Sequence, residues 1–306
     1  MWFKNLSLYR LAEPFALDHA ALNQALAAQA FVPVGRSSPA SEGWVPPLGR
    51  LGTEYCHSVG RYTLFCLQRE ERLLPAAVIN EQLAEQVAAI EAREGRPVRR
   101  KEKLQLKDEL VLSLLPQAFT RTRRQFAYVD RDNGWLVVDS ATANRAEAVL
   151  MALRESLEAS GAGLRVRLAE TRESPRVVMS QWLQGEGLPA WFSLGQEYEL
   201  QDPQAEGGIV RCRRQEPFDE AIQVHLRAGK QVSKLALDWR ERLSLVLDET
   251  LSIRRLRFAD ALLEQADSEG ADPISEFDAQ FALMSMELSG FIKDLMAAFG
   301  GEAEYS

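Results

Sequence analysis

The residues of this sequence best equipped for chemistry are cations interleaved with aromatics. Arg99, Arg100 and Lys101, followed by Lys103 and Lys107, lead into an apolar helical stretch. Phe119, Arg121, Arg123, Arg124 and Phe126 alternate rings with guanidinium groups. In an extended chain Phe119, Arg121 and Arg123 share one face. Arg211, Arg213, Arg214 and Gln215 form a third patch, and Lys230, Lys234, Arg254, Arg255 and Arg257 a fourth. Arginine dominates, and its planar fork matches the oxygens of a phosphate. These patches predict a grip on a polyanion backbone. It should be sensitive to salt and indifferent to base order, because no helix-turn-helix, zinc-finger or RNP pattern accompanies it. The competing reading of any one run is a solvated helix face.

Signatures of catalysis are missing. No GxxxxGK[ST] loop is present, and Gly229-Lys230 has neither the upstream glycine nor the hydroxyl. GxGxxG after a strand and a GxSxG elbow are absent too. His19, His57 and His225 are unpaired in sequence, and Asp130-Arg131-Asp132 runs into Asn133-Gly134, where acids serve a turn. Neither metal nor other cofactor is implied, and the expectation is a protein that is not an enzyme. Two alternatives stay open: a nuclease with dispersed carboxylates, which leaves little linear trace, and a protein-interaction factor that acts without DNA.

A net charge of −8 argues against a nucleic-acid partner until its distribution is examined. Residues 93–131 hold eleven cations against five acids, whereas 260–306 hold eleven acids and only Lys293. Such polarity points to a polyanion partner. With 46% hydrophobic and 26% charged residues the composition is that of a globular protein. Cys56, Cys66 and Cys212 have no CxxC spacing and read as reduced, buried thiols. No run suits a membrane span or a leader, so the expected compartment is the cytoplasm, without membrane association.

The elements that must position these residues follow from periodicity. Residues 2–10 read as a strand, and Asp18 as the N-cap of a helix carrying Leu22 and Leu26. Residues 33–49, rich in Gly, Pro and Ser, read as an extended connection and not as strand interior. Strands at 55–58 and 62–68 turn at Gly60. Ile79, Leu83, Val87 and Ile90 mark a helix broken by Gly95 and Pro97, and a second helix spans 103–115. Asp132-Asn133-Gly134 joins strands 125–130 and 135–140 as a hairpin. A helix at 144–159, a strand at 164–168, a helix at 177–183 and a loop through Gly185, Gly187 and Pro189 follow. Gly207-Gly208 opens a strand at 209–214, then come a helix at 219–227 and strands at 232–238, 243–247 and 253–258. Phe277, Phe281, Met284, Leu288, Phe291, Leu295 and Phe299 form one apolar helical stripe, read as core. The fold class is α+β with antiparallel sheets and flanking helices. Four parts are expected: 1–75 with 125–168 as the central part, 76–124 as a basic helical segment, 169–230 as a sheet and finger region, and 231–306 as strands with an acidic helical end.

Several strings together resemble the RdgC family of bacterial recombination-associated proteins. They are Trp2-Phe3-Lys4-Asn5-Leu6, Gly43-Trp44-Val45-Pro46-Pro47, Leu106-Lys107-Asp108-Glu109, Ser113-Leu114-Leu115-Pro116, Val224-His225, Ala228-Gly229-Lys230, Lys234-Leu235-Ala236-Leu237-Asp238-Trp239 and Gly300-Gly301-Glu302-Ala303. The similarity runs in order along the whole chain. It implies a horseshoe-shaped subunit that closes as a homodimeric ring around duplex DNA, with single strands as a secondary ligand. The ring would restrain the RecA recombinase at replication forks, placing the protein in the nucleoid. Phe119 matches the family's aromatic after Leu-Leu-Pro-x-Ala. Arg214-Gln215 matches a basic-Gln pair on an exposed finger, where the family pattern can carry lysine.

Overall fold

The computed structural model describes residues 1–204, 208–267 and 272–304. Two compact units divide the chain. The larger takes Met1–Ala28, Pro46–Cys66 and Gln125–Ser306, and the smaller takes Gln29–Val45 and Leu67–Arg124.

The chain begins with strand β1 (Ser7–Leu11) and helix α1 (His19–Ala27), then strands β2 (Ala40–Val45), β3 (Cys56–Val59) and β4 (Tyr62–Arg72). Asp18 caps α1 by accepting the Ala21 N–H at 2.8 Å. Helices α2 (Ala76–Glu94) and α3 (Arg100–Leu114) come next. Gly95, at φ 63°, ends α2 in a left-handed cap that costs glycine no steric strain. Strands β5 (Thr120–Asp130) and β6 (Trp135–Val138) form the Asn-Gly hairpin, with Asp130 opposite Trp135. Asp130 is buried and accepts from the Asn133 backbone and side chain, so it braces the turn as its sequence context implied.

The second half holds α4 (Ala143–Ala159), β7 (Val166–Leu168), α5 (Pro175–Leu183), β8 (Phe192–Gln201), β9 (Val210–Arg213) and α6 (Glu220–Arg227). It ends with β10 (Gln231–Trp239), β11 (Leu243–Asp248), β12 (Ile253–Phe258), α7 (Asp260–Ala266) and α8 (Pro273–Ala298). Two antiparallel sheets result, confirming the mixed α and β class. One has the order β2-β4-β5-β6-β1-β7, with β3 paired to β4. The other has the order β12-β11-β10-β8-β9. In the second sheet Tyr198, Leu200, Leu235, Leu237 and Leu247 face one way and join the buried cluster of Phe281, Met284, Leu288, Phe291, Leu295 and Phe299 from α8. The helical stripe is therefore core, as expected. Cys56, Cys66 and Cys212 are buried and outside any disulfide, and burial pushes Cys56 up to about 12. Among the described residues no helix is long and apolar enough to cross a membrane.

Within the smaller unit, α2 and α3 are thinly cored: Ile79, Leu83 and Leu110 form their buried cluster, with Leu74, Val87, Leu106, Val111 and Leu114 packed around it.

Two expectations need correction. Residues 2–10 are not one strand, since β1 starts at Ser7 and Leu6 instead exchanges backbone hydrogen bonds with Ile253 at 2.8 and 3.0 Å. The 33–49 connection contains β2. Gly43 belongs there because a Cβ would lie 2.5 Å from the Phe31 backbone, so the glycine marks a close approach of chains and not a loop. Strand β8 and helix α7 went unread, and β8 pairs both β10 and β9. Of the expected Gly207-Gly208 opening, Gly207 lies outside the described residues.

Candidate nucleic-acid interface

The polar face of the five-stranded sheet is built by alternation. On β8, Tyr198 and Leu200 point into the core, so Glu197 and Glu199 share the opposite face. On β9, Cys212 is buried and Arg211 and Arg213 share that outer face. The register sets Glu197 opposite Arg213 and Glu199 opposite Arg211. Across the other edge of β8, Glu199 stands opposite Lys234 of β10, and Lys234 stands opposite Asp248 of β11. Asp248 in turn pairs with Arg254 at 3.1 Å. Charge therefore alternates across the five strands, an arrangement that directly opposed residues favour.

Backbone irregularities complete the site. The β11–β12 register slips between Ser244 and Val246, and Arg255 sits in the slip at φ 52°. A non-glycine residue is strained in that region. The same turn of the backbone brings the Arg255 guanidinium to Glu197 at 2.5 Å. Gly195 lies in a second irregularity, where a Cβ would meet the Ala236 Cβ at 2.8 Å.

Glu197 and Glu199 each serve two cations. Glu197 holds Arg255 and Arg213 (3.6 Å), and Glu199 holds Lys234 (2.7 Å) and Arg211 (2.8 Å). The Arg255 hydrogen bond holds the Glu197 carboxyl below its ordinary range. Burial pushes Glu199 the other way, but the bonds from Lys234 and Arg211 win and its carboxyl is also lowered. Together these groups line a cavity of about 460 Å³, with five cations against two carboxylates and Asn5 at its wall. Arg254 Nε in that wall is buried and has no hydrogen-bond partner.

The remaining candidates fall elsewhere. Arg99 is the N-cap of α3, and Arg100, Lys101, Lys103 and Lys107 lie within it, so the helix starts three residues before the expected 103. All five are exposed, and none makes an ion pair among the described residues. Arg93 and Arg96, by contrast, pair with Glu94, and Arg96 also with Glu102. Arg121 and Arg123 share a face of β5 as expected, and both reach Glu71 of β4. Their charge is partly answered there, and the Arg121 bond lowers the Glu71 carboxyl. Arg124 donates to Gln68 at 3.0 Å. Phe119 is 85% exposed, an unusual position for so large a ring.

The third sequence patch divides after Arg213. Arg214 leaves the sheet at φ 56°, and the Gln215 carbonyl accepts from the Tyr198 hydroxyl at 2.5 Å. The fourth patch splits as well. Lys234, Arg254 and Arg255 join the sheet cavity, while Lys230 donates to the Gly208 carbonyl at 2.7 Å. Arg257 lies in a different recess, beside Asp238, Arg242 and Asp260. The acidic end is less free than its charge suggests, because Asp278, Glu287, Asp294, Glu302 and Glu304 bind His57, Arg242, Arg240, Arg10 and Arg172. Glu197, Glu199 and Asp248 were missed from sequence. Their signal was the matched i,i+2 alternation of Glu197 and Glu199 with Arg211 and Arg213.

The family model described as "Putative exonuclease, RdgC" matches residues 1–302. This chain belongs to the RdgC family. Three relatives, each named recombination-associated protein RdgC, match end to end. The protein from Aeromonas hydrophila is 43% identical over 305 residues, covering 99% of both chains. That from Halorhodospira halophila is 44% identical over 303 residues, again 99% of both, and that from Yersinia pestis 40% over 307 residues and all of both. The resemblance carried by the sequence strings is thus a full-length family relationship. Among the described residues of this RdgC-family chain, no group of three His, Cys, Asp or Glu side chains is placed to hold a metal ion.

Proposed function

We propose that this RdgC-family chain grips DNA through its phosphate backbone without reading sequence and without cutting, and that it does so in recombination. The observation that carries this reading is the sheet cavity. Two cationic patches far apart in sequence converge there, and cations outnumber carboxylates. Arginine forks at that spacing suit phosphate oxygens, and the face presents no helix to a groove. A second support is α3, whose first turn carries exposed Arg99, Arg100, Lys101 and Lys103 beside a single acid, Glu102. Cations so placed suit contact with a polyanion backbone.

The reading extends to assembly and partners. A homodimer closed as a ring around duplex DNA fits a chain of net −8, because acidity outside and basicity inside are compatible. Such a ring, made of horseshoe-shaped subunits, would restrain the RecA recombinase by occupying its DNA, act at replication forks and reside with the nucleoid. Single strands would bind by the same backbone contacts.

The test is fluorescence anisotropy of labelled duplexes of unrelated sequence over a salt series. Affinities alike across sequences and falling steeply with salt are expected; strong sequence preference, or no binding at low salt, overturns the reading, the latter in favour of a protein-interaction factor. The family description favours a second reading as an exonuclease. End-labelled duplex incubated with magnesium or manganese should stay intact, and release of nucleotides would establish the enzyme instead. A solution particle without a central opening would remove the ring.

A further inference from the structure

The five cations of the sheet cavity reach solvent, yet each is ion-paired. Arg211, Arg213, Lys234 and Arg255 are all engaged by Glu197 and Glu199, two residues of one strand on one face. Alternate residues on a strand stand about 6.8 Å apart, a spacing of the same order as that between neighbouring phosphates along one DNA strand. Glu199 accepts from two cations, Arg211 and Lys234, and Glu197 accepts from Arg255 with Arg213 beside it at 3.6 Å, as a phosphate sits among arginines. One donor in the wall, Arg254 Nε, has no acceptor at all.

We infer that Glu197 and Glu199 are built-in stand-ins for two successive phosphates, which hold the cationic face in its binding geometry and must be displaced when the phosphodiester backbone docks. This rests on the reading of the sheet face as a DNA contact and adds what sets its strength. With a carboxylate in each cradle the arginines stay ordered, so little side-chain freedom is lost on binding. The same carboxylates compete with the incoming phosphates, which keeps the grip weak and exchangeable. Glu197 and Glu199 are then affinity-setting residues, and their effect should fall on every DNA sequence alike.

Replacing both by glutamine keeps shape and hydrogen-bonding oxygen while removing the charge. For the full-length E197Q/E199Q chain, duplex affinity measured by anisotropy should rise about tenfold or more, about 1.4 kcal/mol, because the same phosphates dock without displacing a carboxylate. Unchanged or weaker binding by a variant that melts normally overturns the inference. Should the double variant fail to fold, E197Q alone leaves the Glu199 pairs in place and should raise affinity about threefold, half the change on the energy scale. R211A/R213A is measured beside them. If it weakens binding while the glutamine variants do nothing, only the stand-in role fails. If R211A/R213A also binds normally, the sheet face itself is not the DNA contact.

Discussion

The chain carries two kinds of cationic surface, and they differ in how their charge is held. On α3, Arg99, Arg100, Lys101, Lys103 and Lys107 are exposed and make no ion pairs among the described residues. On the five-stranded sheet, Arg211, Arg213, Lys234 and Arg255 are fixed in ion pairs with two glutamates. Unpaired lysines and arginines attract a polyanion at long range but lose side-chain freedom on contact. Paired ones have given up that freedom beforehand and exchange one anion for another. The helix therefore suits capture, and the sheet suits a positioned, exchangeable hold. The supports differ too: α2 and α3 rest on three buried residues, whereas the sheet backs onto the main core.

The sharpest way to break this contrast is to strip α3. R99A/R100A/K101A/K103A/K107A should lower duplex affinity about 100-fold to 1,000-fold near 0.1 M salt and flatten the salt slope by about 4. A loss under threefold in the same anisotropy assay would assign capture elsewhere. The thin support comes next. Leu83→Ala should destabilise the helical pair by about 2 kcal/mol, the low end for a buried leucine, because an open site relaxes around the gap. Amide exchange should localise the loss to 76–114, and protection lost equally from the sheet would show one cooperative core. Smaller again, R211A/R213A should weaken duplex binding about tenfold, about 1.4 kcal/mol, since its gain is offset by pairs already made.

Acid should separate the two surfaces last and least. Glu197 and Glu199 titrate in the folded protein below the ordinary glutamate value of 4.5. Their contribution is therefore present above that value and is lost as pH falls through the depressed ones. Melting temperature should drop more between pH 5 and 3, a span of about two units around that value, for the wild-type chain than for E197Q/E199Q. Equal drops would mean the pairs contribute nothing to stability.

Much of the scaffold was legible because local chemistry and fold agree. Asp18, Gly95 and the Asn133-Gly134 turn each satisfy or redirect backbone groups within a few residues. What escaped was set by distant contacts. In β8 the core positions Phe192, Leu194, Tyr198 and Leu200 keep one phase, but Gly195 and the exposed Gln196 interrupt them at a register slip. Gly43 looked like loop because the Phe31 backbone it must admit is twelve residues away. The cations were all identified from sequence, yet their grouping was not. Losing β8 hid the strand that joins Arg211 to Lys234, and with it the two glutamates between them. Arg257 was grouped with Arg255 by proximity in sequence, whereas the irregularity at φ 52° sends the two to different recesses.

The reciprocal backbone pairing of Leu6 with Ile253 also sets a schedule on the ribosome. Phe3 and Leu6 finish fully buried, yet Leu6's pairing partner is translated about 250 residues later, roughly 12–50 s at ordinary elongation rates. Until then they are sticky surface on a growing chain. Nascent protein truncated before β12 should therefore be the species that holdase chaperones capture and proteases clear, while release of the last strands lets the opening residues close the fold.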